Sequence, residues 1–137
     1  MKTITIETIV NRKRSKVWEY WNQPKHIVHW NFASDDWCCP RAENDLRPGG
    51  KFSSRMEAKD GSMGFDFGGH FTLVESPAKL EYVLEDDRKV LVTFDDVGDG
   101  TQITETFEPE SMNPLEMQEQ GWNAILQNFK KYAEGKS

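Results

Sequence analysis

Glu105 is the residue whose neighbours best place it to do chemistry. It alternates with Ile103 and Phe107, so on a strand all three side chains share one apolar face. A carboxyl group inside an apolar interior costs free energy unless it is paired or protonated, and burial raises its pKa. Such a group can serve as a general base or as a hydrogen-bond acceptor that orients a ligand. Two plainer readings stand beside these: an exposed residue near a strand edge, or a structural partner for Arg55 or Tyr82.

Other polar residues carry less. His26 and His29 are three apart, and Cys38-Cys39 follows, but neither a two-residue Cys spacing nor an HExxH pattern is present. Surface histidines and small buried thiols account for them, so no metal is expected, and His70 falls on the polar side of its strand. Adjacent cysteines make a strained pair for a disulfide. Ser34-Asp35-Asp36-Trp37 sets two carboxylates beside an aromatic ring, but neighbours on a strand point to opposite faces. Gly49-Gly50 follows Pro48 as a turn. It has neither the GxGxxG nor the Walker pattern, and no cofactor is expected.

The larger signal is aromatic. Five Trp and eight Phe stand in a polar chain of 137 residues with a formal charge of −6, and those rings must line something. The elements that position them are readable. Ile4, Ile6, Thr8 and Val10 alternate as a half-buried strand. Ser15 is placed to cap a short helix over KVWEYWN, and Pro24 starts a second over PKHIVHW, since the residue before a proline disfavours helix. From residue 37 the period becomes alternating: Cys38–Ala42, Lys51–Ala58, 63–75 (Phe65, Phe67, Gly69, Phe71, Leu73), then Leu80-Tyr82-Leu84, Val90-Val92-Phe94 and Ile103-Glu105-Phe107. Turn signals separate these runs. The last stretch is one long amphipathic helix. Asn113 stands as cap, Pro114 at the first turn, and Lys130 and Lys131 in the last turn with Gly135 as stop. Its stripe runs through Leu115, Gln118, Trp122, Ile125, Leu126, Phe129 and Tyr132.

Hairpin-linked strands make an antiparallel meander with one apolar face, and the terminal helix has that face on which to bury its stripe. The pattern predicts an α+β helix-grip fold: a curved antiparallel sheet of six to seven strands around a C-terminal helix, in one domain over 1–137. The charge and the lack of a Lys/Arg cluster argue against nucleic acid or an anionic membrane as partner. No apolar run suits a signal peptide or a membrane span, and two thiols fit a reducing cytosol.

The stretch from Val17 to Pro77, with ITETFEPES and the C-terminal QGWNAILQNFKKY, closely resembles the family of activator-of-heat-shock-protein-ATPase homologues, within the START-like (SRPBCC, birch-pollen-allergen-like) superfamily. PGG-F-S-RMEAKDGSMGFDF and QGWxxILxNFKKY are its specific parts. The resemblance implies a hydrophobic pocket between curved sheet and C-terminal helix, with the Ser34–Trp37 segment shaping its entrance. Small members of the family look like binders of hydrophobic molecules. The second, chaperone-binding domain of the eukaryotic co-chaperones has no room in this chain.

In that fold Trp122, Ile125, Leu126 and Phe129 face Phe52, Met56, Phe65, Phe67, Phe71, Tyr82 and Phe94, with Trp21 and Trp30 at one mouth. Gly64, Gly68 and Gly69 favour curvature. Three functions remain open. The first is a carrier or sensor, monomer or homodimer, that binds a small hydrophobic or aromatic molecule, with Glu105, Tyr82 or Arg55 orienting it. The second is a co-chaperone-like partner of a heat-shock-protein ATPase. The third is a cyclase- or hydrolase-type enzyme with Glu105 as base, although no nucleophile–base pair is visible.

Overall fold

A period of two becomes a strand throughout this chain. The computed structural model describes residues 2–136. In it β1 (Ile4–Val10) leads to α1 (Arg14–Asn22) and α2 (Pro24–Ile27). The strands β2 (Trp37–Asn44), β3 (Lys51–Ala58), β4 (Gly64–Glu75), β5 (Lys79–Leu84), β6 (Lys89–Val97) and β7 (Gly100–Phe107) follow, and α3 (Leu115–Gly135) ends the chain. All seven strands form one antiparallel sheet in the order β1-β7-β6-β5-β4-β3-β2. Hairpins make β2 to β7 a meander, and β1 adds itself beside β7. The sheet curls around α3, whose main strand contact is β1. This is the α+β helix-grip fold that the pattern predicts. Among the described residues no helix is long and apolar enough to cross a membrane.

Register sets which side chains meet. Ile6 pairs with Glu105, Glu105 with Val92, Val92 with Leu80 and Leu80 with Val74. These five stand abreast on the concave face, and four of them are aliphatic. Alternation carried straight through β4 puts Leu73 on that face, but a β-bulge intervenes: Phe71 pairs with Tyr82, whereas Leu73 pairs with Glu81. The extra residue flips the phase, and Val74 packs on the core instead. Close by, a Cβ on Gly69 would lie 2.1 Å from the Val83 carbonyl oxygen, so only bare backbone fits at this bend.

Helix ends depart from the sequence expectations. Ser15 lies inside α1 and makes no cap, and α2 spans only four residues before the chain turns through Trp30. At α3 the cap position belongs to Pro114, and Asn113 does not cap by its side chain. The preceding loop is instead tied by Gln118, whose Nε2 donates to the carbonyls of Glu110 and Asn113 at 3.0 and 2.8 Å. Its Oε1 accepts the Glu110 N–H at 2.9 Å. A buried side chain from the helix itself thus fixes the loop that enters α3, whereas the first-turn N–H groups receive no side-chain cap. At the far end α3 runs through Gly135, so Lys130 and Lys131 sit ahead of the last turn. The final carbonyls are met from β1's side of the molecule: the Arg12 guanidinium donates to Glu134 and to Lys136.

Candidate functional site

Between the concave sheet and α3 lies a cavity of about 230 Å³. β3 contributes Phe52, Ser54 and Met56, β4 contributes Phe65, Phe67 and Phe71, and β5 contributes Leu80 and Tyr82. Glu105 comes from β7, and Trp122 and Ile125 from α3. The α1–α2 corner closes one end with Trp21, Asn22, Ile27, Trp30 and Asn31, and Glu43 and Asn44 of β2 complete the wall. Ten of the thirteen side chains singled out from sequence therefore border one space. The other three do not: Phe94, Leu126 and Phe129 are wholly buried in packed core. Phe129 meets the rings of Trp21 and Trp30 edge-on at 4.9 Å, and Phe94 meets Trp18 and Trp21. Helix periodicity shows which face is buried but not whether the space beyond it is filled.

Trp21 and Trp30 are walls rather than an entrance. Both are buried, and the Trp30 indole donates to the Tyr20 carbonyl at 2.9 Å. The open lip carries Phe65, 48% exposed, with Trp37 against it at 5.9 Å. Trp37 thus reaches the entrance, whereas Asp35 and Asp36 face solvent. Trp122 stacks on Phe107 with ring centroids 4.0 Å apart and also meets Phe67. Sequence reasoning missed the polar members of the wall, Asn22, Asn31, Glu43, Asn44 and Ser54. Ser54 shares the alternating face of Phe52 and Met56 and was legible there. Asn22 ends α1 and Asn31 follows the turn after α2, and neither carries such a signal. The wall is braced behind: Asn44 Nδ2 donates to the Asn22 carbonyl at 2.6 Å, and Asn128 Nδ2 donates to that of Trp30 at 2.8 Å.

Glu105 is 5% exposed, and its in-register neighbours are Ile6 and Val92. Among the described residues its carboxyl group has no hydrogen-bond partner. Arg55 faces the other way, bound to Glu57 at 2.9 Å and near Asp66, so it neither pairs with Glu105 nor orients anything in the cavity. Burial pushes the Glu105 carboxyl from 4.5 up to about 8. At neutral pH the group holds its proton and is a hydrogen-bond donor, the wrong form for a resting general base. Burial, then the nearby Glu105, also raise the Tyr82 phenol well above its ordinary value.

The histidines and thiols stay outside the cavity. His26 is buried, not at the surface: Nδ1 sits 2.6 Å from the Tyr132 hydroxyl, and burial lowers its pKa. His29 stacks on the other side of this aromatic cluster, against Tyr132. Cys39 is buried and its thiol is pushed up by desolvation. Among the described residues no three His, Cys, Asp or Glu side chains gather as a metal site requires.

Comparison with known proteins places this arrangement. The profile of the family described as activator of Hsp90 ATPase homolog 1-like protein matches residues 11–134. The solution structure of the AHSA1-like protein from Aeromonas hydrophila is 44% identical, with a TM-score of 0.93 over 98% of this chain and 93% of that one. A protein from Cytophaga hutchinsonii is 50% identical, with a TM-score of 0.84 over 97% and 92%. A protein from Chromobacterium violaceum shares the fold alone, at 19% identity and a TM-score of 0.87 over 98% and 99%. None of the curated proteins matches the chain.

Proposed function

We propose that this chain, which belongs to the activator of Hsp90 ATPase homolog 1-like family, binds a small apolar or aromatic molecule between its sheet and α3. The observation that carries this reading is the cavity itself: about 230 Å³, walled by aromatic rings, with one unpaired carboxyl group inside. A mostly apolar cavity with few polar groups is the usual form of a small-molecule site. The volume lies below the ~300–1,000 Å³ range of drug-sized sites, so the occupant is small. Affinity would come from burial at about 25 cal/mol per Å² of apolar surface, with Glu105 and Tyr82 setting orientation. We assign the chain to the cytosol as one domain, a monomer or homodimer; its two free cysteines suit a reducing compartment.

Native mass spectrometry of freshly purified protein tests this, because a bound molecule adds a mass that vanishes on denaturation. Trp21, Trp30 and Trp122 line the cavity, so ligand entry also alters tryptophan fluorescence. A clean apo mass together with unchanged fluorescence across a varied apolar panel would sink the proposal.

A second reading has an observation of its own. Met112, Leu115 and Met117 are exposed around the start of α3, and exposed apolar side chains are what a partner can dock on. A co-chaperone role on a heat-shock-protein ATPase would use such a surface. A pull-down with the chaperone, repeated with Met112→Ser and Met117→Ser, tests it; retention indifferent to both substitutions would count against this surface.

A further inference from the structure

The ionisable side chains on the cavity wall are all acids. Among the described residues the charged side chains lining it are Glu43, exposed on β2, and Glu105, buried on β7; no Lys, Arg or His lines it. Around them stand eight aromatic rings, including Tyr82 beside Glu105 and Trp122 stacked over Phe107, the next inward residue on β7. The faces of such rings attract cations. We propose that the cavity selects a small lipophilic amine, an apolar body carrying one basic nitrogen, whose ammonium pairs with the Glu105 carboxylate. This deepens the apolar-ligand reading and rests on it.

The alternatives fit the wall less well. An anionic ligand would bring its charge into an acidic site with no cation to receive it, and an uncompensated buried charge is heavily penalised. A purely apolar ligand would seal Glu105 away with no hydrogen-bond partner. A neutral ligand with a carbonyl or hydroxyl group could accept a hydrogen bond from the protonated carboxyl, and it is the serious rival. It makes no use of the aromatic faces as cation receptors.

Proton bookkeeping separates the two. Burial holds the empty site's carboxyl protonated up to about pH 8, so an incoming ammonium must expel that proton to solvent. Ile6 and Val92 stand beside Glu105 across the sheet, Ile103 and Phe107 flank it on β7, Trp122 of α3 covers Phe107, and Tyr82 is near enough to feel its charge. Of these only Tyr82 titrates, far to the alkaline side, and Glu43 is the other titratable group on the wall. Amine affinity therefore rises with pH up to about 8, whereas affinity for a neutral acceptor is flat there and falls above.

Titration calorimetry with phenethylamine, phenethyl alcohol and hydrocinnamate, in buffers of differing ionisation enthalpy, reads both quantities. The expected result is an amine affinity that rises about tenfold per pH unit from roughly pH 6 to 8, with close to one proton released per amine bound at the acidic end. The alcohol shows no such slope, and hydrocinnamate binds at least ~100-fold more weakly than the amine near pH 8. In Glu105→Gln the proton release disappears and the amine binds no better than the alcohol. Alcohol binding equal to or tighter than the amine near pH 8, or amine binding without proton release, overturns the amine assignment while leaving the apolar site standing. Failure of all three compounds to bind, with tryptophan fluorescence undisturbed, removes the apolar-ligand reading and this one with it.

Discussion

The two ends of the space under α3 use the same kinds of residue to opposite effect. At one end α3 packs directly on β1 and α1 packs on β6 and β7, and Phe94, Ile103, Leu126 and Phe129 fill the interior with no exposed surface. Toward β2, β3 and β4 the sheet curls away, and Phe52, Phe67 and Trp122 are left half-buried around a void. Large apolar side chains stand at both ends, so their presence alone does not distinguish them. What differs is the distance from sheet to helix, set by the curl at Gly69 and by the line α3 takes along β1. The filled end holds the fold together, and the open end is free to admit something else.

Substitutions should therefore have unequal consequences. The largest effect belongs to the filled end: Phe129→Ala should lower unfolding free energy by about 3–5 kcal/mol in a denaturant titration, the usual result of emptying a packed aromatic site. A loss below ~1 kcal/mol would mean that this end is as loose as the other.

Next is Glu105, the one carboxyl group in the inward row. Its folded-state pKa of about 8 exceeds the ordinary 4.5, so the folded state binds the proton more tightly. Stability from this group is full below about pH 4.5 and is lost as pH rises toward 8, at about 1.4 kcal/mol per unit. Between pH 5 and 7 the loss is about 3 kcal/mol, and Glu105→Gln should remove this slope. An unchanged slope in the variant would show that the carboxyl is not held in an apolar site.

His26 supplies a smaller term of opposite sign. Its pKa is lowered, chiefly by burial and then by Lys136, so the unfolded state binds the proton more tightly. Stability from His26 is present above pH 6.5 and is lost as pH falls below it. His26→Gln should reduce the acid-side decline of Tm, and a decline as steep as in the wild type would refute the assignment. The smallest stability effect is expected at the lip. Phe65, already 48% exposed, should tolerate Phe65→Ala within about 0.5 kcal/mol. That substitution should still speed ligand entry and exit, measured by stopped-flow tryptophan fluorescence.

Much of this was legible in the residues. Ile103-Glu105-Phe107 placed the carboxyl group inward, and Phe52, Met56, Phe65 and Phe67 were assigned to one face, because a strand's period of two leaves a side chain only two directions. That period fails where one residue is inserted, as at the β4 bulge, which exchanged Leu73 for Val74. Helix capping was less readable: Asn113 and Ser15 had the right chemistry, but Ser15 lies inside α1, Pro114 holds the cap position of α3, and neither helix gains a side-chain cap. The polar wall residues Asn22 and Asn31 lie at a helix end and in a turn, where no periodicity announces a direction, and Asn44 closes β2 beyond the Cys38–Ala42 stretch whose alternation is readable.

By itself the sequence determined the element order, the sheet's two faces, the helix stripe and the family. These follow from local periodicity, turn chemistry and the specific segments that mark the resemblance. Only the tertiary structure decided which inward residues touch each other and which border empty space. It turned Arg55 outward into a salt bridge with Glu57 and left Glu105 without a partner. It also closed the helix on β1 and opened it over β3 and β4. Those outcomes depend on curl, register shifts and the line of one helix across seven strands, which are properties of many distant contacts together and of no local pattern.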